Sequence, residues 1–160
     1  MATVRRGRQS DSAEFLVLLH ALARFEGLEP PSKAGSERLL GDIFKKRKLN
    51  LLVATLEGRL VGYALYLRTY SSFLARPTLY VEDIFVLEEF RGRGVGRRLI
   101  ARCAKEAVRT GCGRMEWTVL GWNKRAIRFY TGLGARRLDE WQHYRMSERE
   151  VRRVANIDDS

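Results

Sequence analysis

A mixed α/β domain with a largely antiparallel first half is the fold class that this 160-residue sequence predicts. Three observations carry it. Helical and strand-like periodicities alternate along the whole chain, three strand-like runs follow one another through the middle, and a glycine-rich turn then joins a strand to a helix. Residues 3–8 read as a first strand. Ser10 or Ser12 supplies an N-cap, with Asp11 and Glu14 acidic in the first turn. Phe15, Leu18, Leu19, Leu22 and Phe25 then recur at helical spacing up to Gly27. Pro30-Pro31 marks a loop, and a second helix is expected over residues 36–46. Residues 49–56 and 60–70 form a hairpin about Glu57-Gly58, and a third strand covers 79–87 after Pro77. A helix over 97–110, a strand over 115–120, a helix over 123–133 and a last strand near 137–146 complete the order. The length suits one domain, residues 1–160, with 147–160 read as a basic C-terminal tail.

Composition removes several classes. Hydrophobic residues make up 45% and charged residues 31%, a globular mix rather than a disordered one. No apolar run is long enough for a transmembrane helix, and MATVRRGRQSDSAEF lacks the apolar stretch of a signal peptide. Cys103 and Cys112 are too few for a disulfide framework, and His20 and His143 match no metal-ligand spacing, so no metal is expected and a reducing, cytoplasmic setting is the default. Lys plus Arg number 30 against 19 Asp plus Glu, a net charge of +11 that asks for an anionic partner. Arg5-Arg6-Gly7-Arg8, Lys45-Lys46-Arg47-Lys48, Arg136-Arg137 and Arg152-Arg153 admit a nucleic-acid-binding reading, although no RNA-recognition, helix-turn-helix or zinc-finger pattern accompanies them.

The strongest local signal is Arg91-Gly92-Arg93-Gly94-Val95-Gly96 at a strand-to-helix junction. Glycines at alternate positions let consecutive amides point into one concavity, and the helix behind adds free N–H groups and its positive dipole end. Such a nest suits pyrophosphate. Arg91, Arg93, Arg97 and Arg98 surround it. The pattern is neither a Walker A nor G-x-G-x-x-G. Taken alone, it reads equally as a turn that only needs positive φ.

Residues 79–86, the Arg91-to-Gly96 turn, and Trp122-Asn123-Lys124-Arg125-Ala126-Ile127-Arg128-Phe129-Tyr130 together resemble the GNAT family of acetyl-CoA-dependent N-acetyltransferases. Arg91, Gly94 and Gly96 meet that family's Arg/Gln-x-x-Gly-x-Gly/Ala motif. Within it the chain is most similar to the spermidine/spermine and thialysine branch, through Ala23-Arg24-Phe25-Glu26, residues 66–73 and Tyr80-Val81-Glu82-Asp83. Where the polyamine enzymes read Tyr-Asp-Pro-Trp, this chain reads Tyr70-Ser71-Ser72-Phe73, closer to the thialysine version. The resemblance implies a mostly antiparallel sheet of six to seven strands flanked by about four helices, acetyl-CoA as co-substrate, and a homodimer.

Acetyl transfer to an amine poses two proton problems. An alkyl ammonium with a reference pKa of about 10.4 must lose a proton before it attacks the thioester, and the departing thiolate must gain one. Glu82 is the candidate base, directly or through water, with neighbouring Asp83 expected to raise its pKa by like-charge coupling. The pair reads equally as a binding site for an ammonium or arginine. The resemblance places Glu82 at the family's base position and Tyr130 at its acid position. On its helix alone, Tyr130 is also a packed aromatic beside Phe129. Asn123 is an N-cap by type, and the resemblance makes it a contact of the CoA arm. The resemblance likewise assigns the backbone of Ile84, Phe85 and Val86 to the pantetheine arm and acetyl carbonyl, and residues 91–97, namely Arg91, Gly92, Arg93, Gly94, Val95, Gly96 and Arg97, to the phosphates. Glu26, with Glu82 and Asp83, stands on the acceptor side, or is a solvated helix-end carboxylate. The expected reaction is a direct attack, in a ternary complex, by a small amine such as a lysine-like amino acid, thialysine or a diamine. A protein lysine or N-terminus is the alternative acceptor.

Overall fold

The computed structural model describes residues 1–157. The chain divides into two compact units, Met1–Thr118 and Val119–Ser160. The first holds β1 (Thr3–Arg6), α1 (Ser12–Glu26), α2 (Lys33–Phe44), β2 (Asn50–Leu56), β3 (Arg59–Ser71), β4 (Arg76–Val86), α3 (Val95–Arg109) and β5 (Arg114–Glu116). The second holds α4 (Lys124–Thr131) and α5 (Glu148–Ala155).

The strands form one sheet in the order β1-β2-β3-β4-β5. The first four pair antiparallel, and β5 runs parallel to β4. Glu57 and Gly58 both adopt positive φ (53° and 79°), the pairing that a two-residue hairpin between right-twisted strands requires. Alternation sorts the side chains. Leu51, Val53, Tyr63, Leu65 and Phe85 point to one face, where Phe15, Leu18 and Leu22 of α1 and Ile43 of α2 close a buried cluster. The register leaves Leu52, Ala54, Ala64 and Val81 for the other face, against which α3 buries Val95, Leu99 and Cys103.

Helix starts differ from the sequence expectation by their caps. Neither Ser10 nor Ser12 caps α1; Asp11 holds the N-cap position without a side-chain cap bond, its buried carboxylate instead accepting two hydrogen bonds from Arg5 (2.7 and 2.8 Å) and one from the Arg8 amide (2.7 Å). Ser32 caps α2 by accepting from the Gly35 amide at 3.1 Å, so the helix begins three residues earlier than its apolar pattern.

Four expectations at the C-terminal end need correction. The sheet has five strands among the described residues, not six or seven. Residues 137–146 form no strand there: Leu138, Trp141 and Tyr144 recur every three residues rather than every two, and all are exposed. The strand expected over 115–120 ends at Glu116. Nor is 147–160 a basic tail: in sequence its three arginines are outnumbered by four acidic residues, and its described part is mostly α5, opened by a Ser147–Glu150 capping box, while residues 158–160 lie outside the described residues.

Candidate active site

Strand β4 changes its register in the middle. Leu65 opposes Asp83 while the next residue, Tyr66, opposes Val81, so Glu82 is the extra residue of a β-bulge. The other edge of β4 diverges at the same place. Its parallel pairing with β5 covers Thr78, Leu79 and Tyr80 and stops. A bulge bends its strand, so the last half of β4 is left with β3 alone as a ladder partner.

The alternation of the ladder then decides which amides face the open edge. The Leu87 amide donates to the Val61 carbonyl at 3.0 Å, which makes this pair, and by alternation Tyr63 with Phe85, the closely bonded ones. Ile84 and Val86 therefore turn their backbone groups away from β3. Phe85, expected with them on the cofactor side, is the correction: its amide turns to β3 and its ring is buried in the core.

Beyond β4 the chain makes a 3-10 turn (Glu88–Phe90) and reaches the glycines. Gly92 and Gly94 hold φ of 79° and 76°, and space around each is open where a Cβ would stand. Gly94 is the residue before the first turn of α3, and buried Val95 anchors that turn on the sheet. Gly96 lies within the turn, and Arg93, Arg97 and Arg98 are exposed around it. Arg91 is different. Its Nε donates to the Val86 carbonyl at 2.9 Å, and its guanidinium lies over the rings of Phe25 (4.8 Å) and Phe85 (5.6 Å). Arg91 thus ties together the end of α1, the end of β4 and the start of the glycine turn, a strut the motif alone did not reveal.

Three carboxylates gather on the α1 side of this strand. Asp83 is half-buried, and its carboxyl is raised from 3.8 to about 6, first by burial and then by the charges of Glu82 and Glu26. Burial also raises the Glu26 carboxyl at the end of α1. Tyr63, which sequence reasoning passed over as an apolar-strand aromatic, donates its hydroxyl to Asp83 Oδ2 at 3.3 Å. Glu82 itself is exposed.

In the second unit Asn123 caps α4, its Oδ1 accepting from the Ala126 amide at 3.1 Å, so the N-cap reading holds in the structure. Tyr130 is buried on the same helix, its ring tilted against Phe129 with centroids 5.3 Å apart. The hairpin position where an acidic residue is missing has a structural occupant: Ser71 is buried and its Oγ accepts from the Leu74 amide at 3.2 Å. Among the described residues no group of three or more His, Cys, Asp or Glu side chains is arranged to hold a metal, and no helix is long and apolar enough to cross a membrane. The basic clusters carry ion pairs of their own: Arg5 to Asp11, Arg6 to Glu106, Lys46 and Lys48 to Asp42, Arg136 to Glu140, Arg137 to Asp139 and Arg152 to Glu148.

The model of the acetyltransferase (GNAT) family matches residues 16–135. The chain belongs to this family. Among its relatives is a thialysine N-epsilon-acetyltransferase of Mus musculus, 35% identical over 164 aligned positions that cover 95% of this chain and 96% of the relative. An L-ornithine N5-acetyltransferase of Arabidopsis thaliana is 44% identical over 86 positions, covering 54% of this chain and 38% of the relative. A solved structure, a possible acetyltransferase from Clostridium difficile, shares the fold with a TM-score of 0.79 at 19% identity, over 92% of this chain and 97% of its own.

One consequence of the acidic group in this GNAT acetyltransferase is a cost in stability. Asp83 titrates higher in the folded state than in the unfolded one, so the folded protein prefers its protonated form. Stability therefore falls as pH rises from about 4 to about 6, and the cost is complete above that. Asp83→Asn is expected to raise stability by up to about 3 kcal/mol at pH 7.5. Thermal melts between pH 3.5 and 8 check this: the gain should vanish near pH 4, and a gain independent of pH would contradict the assignment.

Proposed function

We propose that this protein transfers the acetyl group of acetyl-CoA to the primary amine of a small cationic acceptor, a lysine-like amino acid, thialysine or a diamine. The observation that carries the reading is the side-by-side placement, on β4 and its flanks, of an open strand edge, a glycine turn at a helix N-terminus, and the carboxylates Glu26, Glu82 and Asp83.

The residues present fit acetyl-CoA. The amides around Gly92 and Gly94 and the first turn of α3 suit phosphate oxygens, with Arg93 and Arg97 exposed beside them. Bound there, acetyl-CoA supplies an activated thioester. The Ile84 and Val86 amides face the edge where a pantetheine arm would add as a strand, and they are the groups to polarise the acetyl carbonyl. Glu82 and Asp83 draw in the ammonium, and Glu82 takes its proton, directly or through water. Tyr130 returns one to the leaving thiolate, a role assigned by its family motif. Asn123, as the cap of α4, sets the helix that carries Tyr130 and borders the CoA arm.

The family match spans residues from both compact units, which supports treating residues 1–160 as one acetyltransferase domain. The relatives named for thialysine and ornithine acetylation support a small α-amino acid over a protein lysine or N-terminus. The buried, uncharged Ser71 and the net charge of +11 argue against spermine-like polycations. The ion-paired basic clusters support a solvated surface rather than a nucleic-acid interface. A homodimer, on the strength of the family resemblance, and a reducing, cytoplasmic setting, the default for a chain with two cysteines, complete the reading.

Free-thiol release from acetyl-CoA, measured across lysine, thialysine, ornithine, diamines, spermine and lysine peptides, tests it. Turnover is expected with the amino acids and diamines. Preference for peptides, or no thiol release with any amine, would overturn it.

A further inference from the structure

In the core beneath α1, Tyr63 carries a hydroxyl among otherwise apolar side chains. Its ring is fully buried, edge-on to Phe15 with centroids 5.0 Å apart at 84°, and tilted against Phe85 at 6.4 Å. A ring held on two sides cannot swing, so its hydroxyl is a fixed donor. A phenylalanine would fill this space without burying a polar atom, and a buried hydroxyl is costly unless it is hydrogen-bonded. The hydroxyl's partner is the Oδ2 of Asp83, at 3.3 Å.

The groups that face Asp83 are few and uneven. From its own strand comes the charge of Glu82, from α1 that of Glu26, and from β3 the neutral hydroxyl of Tyr63. Burial and both negative charges favour the protonated acid. The Tyr63 hydrogen bond opposes them and favours the carboxylate. Glu82 and Glu26 supply negative potential to an approaching cation.

We propose that Tyr63 is a positioning residue of the acceptor site, whose hydroxyl fixes Asp83 as the carboxylate that receives the acceptor's ammonium group. The inference rests on the small-cation reading above. Asp83 then serves as an ion-pair partner that must be ionised for the acceptor to bind. The acidic limb of kcat/KM for the amine follows Asp83, and Tyr63 holds that limb at lower pH than burial alone would allow.

The test is Tyr63→Phe in the full chain, read in two ways. First, carbon-13 NMR of the aspartate carboxyls follows Asp83 without any substrate, with Asp83→Asn assigning the signal. Asp83 should titrate at higher pH in Tyr63→Phe than in the wild type. Second, steady-state kinetics should show KM for the amine rising about fivefold near neutral pH, the acidic limb moving to higher pH, and acetyl-CoA affinity unchanged. Tyr63→Phe placed on Asp83→Asn should add no further rise in KM. An unmoved Asp83 titration in a Tyr63→Phe protein that melts like the wild type would overturn the proposal. If Tyr63→Phe does not fold, 3-fluorotyrosine incorporated at position 63 replaces it. As a stronger donor it should lower the Asp83 titration, and no change overturns the proposal equally. Failure of every amine in the thiol assay would sink the small-cation reading, while the NMR arm would still decide the link between Tyr63 and Asp83.

Discussion

Tyr130→Phe is expected to lower kcat by about 100-fold or more while leaving acetyl-CoA affinity within about twofold. Two accounts of this residue compete, and the substitution separates them. As a packed aromatic, Tyr130 contributes its ring: it is 9% exposed on α4 and meets Phe129. Phenylalanine keeps that ring and its burial, so a packing role predicts near-normal turnover and an unchanged melting temperature. As the group that returns a proton to the departing thiolate, Tyr130 contributes its hydroxyl. Phenylalanine deletes only that, and the loss falls on kcat, because the thiolate develops after both substrates are bound. Steady-state kinetics with equilibrium binding of acetyl-CoA decide the matter. A variant with wild-type kcat would remove Tyr130 from the chemistry.

What the sequence discloses depends on whether a feature lives in one segment or in a relation between two. The glycine turn is local. Positive φ and close approach of a ligand both demand glycine, so Gly92 and Gly94 are legible from residue type. The α1 and α3 cores are local as well, through their period. The bulge at Glu82 is not: it is a mismatch between the lengths of β3 and β4, and no residue in either strand announces it. That mismatch ends the β4–β5 pairing, exposes the edge amides and sets the carboxylates of Glu82 and Asp83 in different surroundings. Sequence reasoning made Glu82 the perturbed member of the pair, whereas in the structure Glu82 is exposed and the half-buried Asp83 is the one whose carboxyl is raised. Tyr63 was missed because a tyrosine in an apolar strand has the pattern of core, and its ring is core. Only the position of its hydroxyl makes it part of the site. The short helix α5 did carry a signal, Ser147 three residues before Glu150 with Val151 and Val154 behind, and an excess weight on arginine hid it.

Gly94→Val should weaken acetyl-CoA binding by at least about 100-fold, and the structure says why it need not do so by collision with the protein. A Cβ at Gly94 meets open space. Two other effects operate. At φ of 76° a β-branched residue is strained, at a cost of about 1–3 kcal/mol, and relief of that strain would turn the first amides of α3 out of the nest. The side chain would also stand in the open space where phosphate oxygens need to approach the backbone. Two companion variants separate the effects. Gly58→Val imposes the same backbone strain, φ of 79°, in the β2–β3 hairpin. It should cost comparable stability and leave acetyl-CoA affinity untouched. Gly94→Asn tolerates the left-handed conformation, so it should recover most of the stability while still crowding the nest and weakening binding. Calorimetric titration with acetyl-CoA, beside thermal melts of the three variants, reads both quantities. Unchanged affinity in Gly94→Val would mean that the anion sits elsewhere and that the glycines serve the turn alone. Loss in Gly94→Val with full recovery in Gly94→Asn would mean that the nest acts through backbone geometry and not through open space.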